Sequence, residues 1–114
     1  MREIEFRAWY PDAKKMHDIS LYQIGECLVY KTNFPERIEI MQFTGLLDKN
    51  GKKIFEGDIL LDSDYHGVCE FDVNTSCFTI NRNKFGTGGL GLLNKEMEII
   101  GNIFENTELL DART

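Results

Sequence analysis

Apolar and polar residues alternate with a period of two along much of this chain, which predicts strands rather than helices. Arg2 to Trp9 is the cleanest case, with Ile4, Phe6 and Ala8 on one face and Glu3, Glu5 and Arg7 on the other. Trp9 then falls on the polar face, where it is expected to cover an edge or meet a partner. Pro11-Asp12 breaks the strand, and Lys15-Met16-His17 is expected to return as a short antiparallel partner. Ile19 to Lys31 has no clear period and is compatible with a strand pair or with a short helix followed by a strand. Phe34-Pro35 is expected to open the next strand, because proline removes an N–H and favours an extended approach. Arg37 to Phe43 reads as a strand with Ile38 and Ile40 facing inward.

The turns are as informative as the strands. Asp48-Lys49-Asn50-Gly51 separates two apolar runs, as in hairpins where a type I turn hands over to glycine at positive φ. Glu56-Gly57-Asp58 marks a second sharp bend before Ile59-Leu60-Leu61. Asp62 to His66 is a polar loop, and Gly67 to Asp72 with Ser76 to Arg82 reads as a hairpin. If Phe71, Val73, Phe78 and Ile80 share a buried face, the turn is even-numbered and centred on Asn74-Thr75. Cys69 then points inward and Cys77 outward. A three-residue turn would instead set the two thiols opposite one another. Phe85 to Gly91 reads as a glycine-rich loop. Glu96 to Phe104 closes the sheet, with Ile99-Ile100 buried on both faces, and Asn106 to Ala112 forms one or two helical turns.

About seven short strands at regular spacing imply a mainly β fold, a small barrel or strongly bent antiparallel sheet with a short C-terminal helical turn. Glu56-Gly57-Asp58-Ile59 through Gly67-Val68 resembles the second-strand region of SH3-like barrels. The chain has 114 residues, no repeat and no linker, so residues 1–114 are expected to form a single domain. No apolar run approaches the roughly 20 residues that span a bilayer. The first ten residues contain no apolar signal core, so the expected compartment is the cytoplasm, without a membrane.

The net charge of −6 argues against general nucleic-acid binding, which depends on Lys and Arg neutralising phosphates. Lys14-Lys15, Lys49, Lys52-Lys53 and Arg82-Lys84 are short clusters at turns, placed for solubility and edge protection. Cys27, Cys69 and Cys77 are an odd number without paired spacing, so neither a disulfide framework nor a zinc site is expected.

Local matches to known chemistry fail on context. Gly86-Thr87-Gly88-Gly89-Leu90-Gly91 fits the dinucleotide pattern, but only Leu92 to Lys95 separate it from the next strand. The helix that would receive a pyrophosphate has no room. Asp62-Ser63-Asp64-Tyr65-His66-Gly67 resembles the start of a calcium loop, yet Val73 occupies the twelfth position, where a bidentate Glu is needed. His17 and His66 are the only histidines, and neither has a partner visible in the sequence. No cofactor, metal or catalytic residue is therefore assigned. Trp9, Tyr10, Tyr65 and His66 are the candidate partner-binding surface, Trp and Tyr being enriched at interface hot spots.

Three blocks, REIEFRAW, MQFTGLLDKNGKKIFEGDIL and IIGNIFENTELL, together resemble the YopX family of phage and prophage proteins and cover about a third of the 114 residues. The matching positions include Arg2, Ile4, Phe6, Arg7, Ala8 and Trp9, then Gln42, Thr44-Gly45-Leu46, Asp48 to Gly51 and Glu56 to Ile59. Ile100-Gly101-Asn102-Ile103 and Glu105-Asn106 complete them. The chain departs in Phe43, Phe55 and Phe104, where Tyr is common, and in Thr107, where Pro is common. The resemblance implies a small, mostly β, barrel-like fold and brings no activity, cofactor or catalytic residue. Among the family positions, Arg7, Glu56, Asp58, Asn102 and Glu105 are not explained by turns or packing, and are expected to form a structural polar network, the alternative being that they line a binding groove.

The expected function is that of a phage- or prophage-encoded accessory protein, a non-enzymatic binding module in the bacterial host cytoplasm. Its partner would be an unknown host or phage protein, and a homo-oligomer is left open by the exposed sheet edges. The alternative is a small nucleic-acid-binding β-barrel. A remote alternative is a hydrolase using His66 with Asp62 or Asp64.

Overall fold

A computed structural model describes residues 3–62, 65–82 and 87–111. Arg2, Asp64, Lys84, Phe85, Gly86 and Ala112 therefore lie outside the described residues. The chain is mainly β, with two antiparallel sheets and a half-barrel, as the strand periodicity implied. It groups into two compact units, residues 1–43 and 44–114.

In the first unit, β1 (Phe6–Tyr10) pairs antiparallel with β2 (Lys15–Ile19) and, on its other side, with the start of β3 (Glu39–Leu47). The segment that had no clear period contains a helix, α1 (Ile24–Asn33). Ile24 and Cys27, one turn apart, pack with Phe6, Tyr10 and Ile40 against a core of Ala8, Ile19 and Ile38. Phe34-Pro35 does not open a strand. The backbone turns there, with the Arg37 N–H donating to the Phe34 carbonyl at 3.0 Å and the Arg37 guanidinium 5.2 Å from the Phe34 ring. The strand begins only at Glu39.

In the second unit, β3 continues beyond residue 43 and β4 (Lys53–Phe55) is its neighbour in the sheet. The Thr44 hydroxyl donates to the Ile54 carbonyl at 2.8 Å and accepts the Leu46 N–H at 3.1 Å. That double role bridges the chain around Gly45, whose φ is +87°. The second sheet runs in the order β8-β7-β6-β5-β9. Its strands are β5 (Asp58–Leu61), β6 (His66–Asp72), β7 (Cys77–Asn81), β8 (Thr87–Gly89) and β9 (Glu98–Asn102). The pairing of β5 with β9 shifts register between Ile59 and Leu60, an irregularity of the kind that bends a strand. Ile54, Leu60, Cys69, Ile80, Leu90 and Met97 form the core.

The β6–β7 hairpin has the even turn. Asp72 pairs with Cys77 and Phe71 with Phe78, so Cys69 is buried and Cys77 exposed, and neither forms a disulfide. The aromatic pair meets edge to face at 5.3 Å. Its burial was overestimated: Phe71 is 45% and Val73 77% exposed, because the hairpin runs out past the core that holds Cys69 and Ile80. Ile99 and Ile100 are likewise only half-buried.

The glycine-rich segment is not a loop over residues 87–89, which form β8, antiparallel to β7. One helical turn follows, α2 (Leu90–Leu93), far short of a dinucleotide-binding helix. The last element of the described residues is α3 (Glu108–Asp111), within the predicted helical segment.

Two glycines have tight structural reasons. Gly57 has φ +86°, donates to the Cys69 carbonyl at 2.8 Å and accepts from the Ile103 N–H at 2.9 Å. Gly101 lies under the Asn106 side chain, where a Cβ would collide with the amide oxygen. Gly57→Ala is expected to cost about 1–2 kcal/mol from the left-handed backbone alone. Denaturant unfolding of the variant measures this directly.

Candidate functional site

The polar family positions of the second unit are building elements of turns. Phe55 and Gly57 bracket the bend that Glu56 begins, and the Asp58 carboxylate accepts the Phe55 N–H at 2.8 Å from a fully enclosed position. Asp58 pairs in register with Asn102. The Asn102 side-chain oxygen accepts the N–H groups of Phe104 and Glu105 at 3.0 and 2.8 Å, and its amide donates to the Glu105 carboxylate at 2.9 Å. The Asn106 side chain in turn accepts the Asn102 N–H at 3.1 Å. Asp58, Asn102 and Glu105 thus shape two consecutive bends. Arg7 sits on β1 in the other unit, opposite Asp18 and Met41 in the strand ladders.

A stronger polar centre went unsingled in the sequence. Asp48, buried at 5% exposure, accepts the Asn50 and Lys52 N–H groups through Oδ1, both at 2.9 Å. Its Oδ2 accepts the Ile99 N–H of β9 at 3.0 Å. Around it, the Lys49 N–H donates to the Met97 carbonyl at 2.9 Å and the Asn94 amide donates to the Leu47 carbonyl at 2.6 Å. Burial alone would raise the Asp48 pKa, but three backbone donors, from Ile99, Lys52 and Asn50, and the Lys52 charge outweigh it. The net result is a carboxyl held below its ordinary value. The signal available was the Asp at the head of an Asp-x-Asn-Gly turn, a residue that binds its own turn's backbone.

The candidate partner-binding residues are divided between the two units. Trp9 is only 8% exposed, so it is a packing residue of β1 and not a surface aromatic. Alternation placed it on the polar face, but burial in the folded unit overrides that pattern. Tyr65 lies under the Arg82 guanidinium, 5.7 Å from ring centre to cation, and His66 stands opposite Leu61 in the β5–β6 ladder. The Asp62 N–H donates to the Tyr65 carbonyl at 3.0 Å. Tyr10 belongs to the first unit, and Tyr65 and His66 to the second.

Tyr10 does line a groove. Beside α1 a hollow of about 350 Å³ is bordered by Tyr10, His17, Asp18, Ile19, Gln23 and Cys27. A second, of about 300 Å³, is bordered by Tyr10, Glu26, Cys27, Tyr30 and Ile38. Tyr10 and Cys27 are common to both, so the hollows meet at this pair. The Tyr10 and His17 rings touch edge to face at 5.6 Å. Burial comes first, then electrostatic repulsion from Cys27 and a hydrogen bond with it, then repulsion from Tyr30, and together they raise the Tyr10 pKa above that of a free phenol. Tyr10 therefore stays neutral across the physiological range. Sequence reasoning missed Cys27 and Tyr30 because the helix that carries them had no readable period. Among the described residues, no group of three or more His, Cys, Asp or Glu side chains could hold a metal ion. None of their helices is long and apolar enough to cross a membrane.

The family model described as YopX protein matches residues 5–111. This chain belongs to the YopX family. Its fold resembles that of protein EF1440 from Enterococcus faecalis at 25% identity and a TM-score of 0.67, covering 96% of this chain and 99% of the other. It also resembles protein yopX from Bacillus subtilis, at 18% identity and a TM-score of 0.55, covering 93% and 95%. No curated protein matches the chain. The YopX match runs through both units and includes the groove and the Asp48 turn.

Asp48 generates a stability prediction with a definite sign. Its folded-state pKa is lowered, so its contribution is present above the unfolded-state value, near 3.8, and is lost as pH falls through the folded-state value. Asp48→Ala is expected to cost about 2–4 kcal/mol near neutral pH, since it leaves enclosed N–H groups without acceptors. Asp48→Asn should flatten the fall in stability below about pH 4. Chemical denaturation at a series of pH values reads both.

Proposed function

We propose that this YopX-family chain is a non-enzymatic binding module, a phage- or prophage-encoded accessory protein that acts on a protein partner in the bacterial host cytoplasm. The observation that carries this reading is the double groove beside α1, with Tyr10 and Cys27 at its centre and Tyr30 and Ile38 along one arm. Its volumes lie at the lower end of the range of about 300–1,000 Å³ typical of ligand pockets. Two tyrosines offer rigid amphipathic surface at low entropic cost, the type of residue that anchors protein interfaces. The polar groups at its rim, from His17, Gln23 and Glu26, can fix the orientation of an inserted segment. The acidic balance of the chain favours a protein partner over a nucleic acid.

A tagged full-length chain used in pull-downs from host lysate tests this reading. The expected result is a reproducible protein partner that is lost when Cys27→Met fills the junction of the two hollows or when Tyr30→Ala removes one wall. Recovery of RNA or DNA in place of protein, with an affinity for oligonucleotides that falls steeply with salt, would contradict it in favour of a nucleic-acid-binding role.

A further inference from the structure

Among the described residues the end strands of the two sheets are β2, β4, β8 and β9. β9 is closed by the Asp48 carboxylate, which accepts its Ile99 N–H. β4 and β8 have three residues each, and very short edge strands are poor templates for another chain. β2 has five residues and, among the described residues, pairs with β1 alone. Lys14 and Lys15 guard its turn end, whereas Met16 to Ile19 contain no lysine.

The first hollow runs along this open edge. His17, Asp18 and Ile19 all border it. Side chains alternate between faces along a strand, so three consecutive residues border one hollow where it reaches the strand's edge. The facing wall belongs to α1 and its first turn. Gln23, Glu26, Cys27 and Tyr30 have the spacing of one helix face, and each borders at least one hollow. An open strand edge beside a side-chain hollow suits an extended peptide. Its main chain hydrogen-bonds to the edge, and alternate side chains enter pockets.

The lining also selects the side chain that enters. No Lys or Arg among the described residues borders either hollow, and Lys15, opposite Tyr10 in the ladder, lies outside the border. Glu26 and Asp18 are exposed, and neither carboxylate makes a hydrogen bond or ion pair among the described residues. Tyr10 and Tyr30 supply aromatic rings, and Ile38 an apolar wall. Rings beside an uncommitted carboxylate attract a cation, and the aliphatic stem of Arg or Lys packs on the apolar part.

We infer that the partner enters as an extended segment that adds a strand to the edge of β2 and places an Arg or Lys side chain in the hollow at Tyr10 and Cys27. This rests on the groove reading above and names how the partner is held there. The capped peptide acetyl-Thr-Val-Arg-Val-Thr-amide, titrated into the isotope-labelled full chain, tests it by NMR. The amides of Met16 to Ile19 should shift together with those of Tyr10 and Cys27. Citrulline in place of the arginine, or Glu26→Gln in the protein, should weaken binding about fivefold. Glu26→Gln should leave thermal unfolding unchanged, so that its effect reports binding. N-methylating alternate peptide amides should abolish binding in one phase and spare it in the other, as for a strand paired along one side. A peptide that moves no amide of Met16 to Ile19 at millimolar concentration overturns the inference. So does binding that survives both N-methyl patterns, or that is indifferent to citrulline and to Glu26→Gln. If the peptide fails while a lysate partner is still lost in Cys27→Met and Tyr30→Ala, the groove reading stands and strand addition alone is removed.

Discussion

The carboxylate of Asp48 is the point on which the second unit turns. One side chain closes the β3–β4 connection through Asn50 and Lys52 and with its other oxygen takes the Ile99 N–H of β9. In the five-stranded sheet β9 is an end strand, pairing there with β5 alone. Its outward amide would otherwise be an open template for another chain. A buried carboxylate would ordinarily be a liability. Here each oxygen has backbone donors, so the charge is stabilised where it sits. The bonds from Lys49 to Met97 and from Asn94 to Leu47 repeat the connection on either side, so the hairpin and the last strand are held as one structure.

This arrangement explains why the central and C-terminal family blocks go together. The turn that begins at Asp48 needs Gly51 at φ +81°, and the bend at Gly57 needs φ +86°. The chain after β9 folds back through the side chains of Asn102 and Asn106, over a Gly101 that has no room for a Cβ. Most of the polar residues shared with the family therefore serve backbone geometry. Helix α1 and the groove beside it lie in the segment that those blocks do not cover.

Much of the architecture was legible because turn residues and strand alternation act locally. Asp48 to Gly51, Gly57 and the even β6–β7 turn were all readable from which residues tolerate positive φ and from shared faces. Burial was not. Trp9 lies on the polar side of an alternating strand yet is enclosed, and Phe71 lies on the core side yet is half exposed, because what covers a face is decided by distant segments. Helix α1 was hidden for a related reason. Only Ile24 and Cys27 pack inward against its core, while Leu28 and Val29 are apolar on the outside, so the amphipathic period is blurred. The groove depended on that helix and was lost with it. Asp48 was visible as a turn residue, but its bond to Ile99 spans fifty-one positions and leaves no local trace.

Asp48 ties the β3–β4 turn to the edge of β9, and amide hydrogen exchange at Ile99 reads that tie directly. The Ile99 N–H is expected to be protected to the same degree as the interior amides of the β5–β9 ladder, and to lose that protection in Asp48→Ala while β6–β7 amides keep theirs. An Ile99 amide that exchanges in the wild-type chain as fast as an open sheet edge would contradict it.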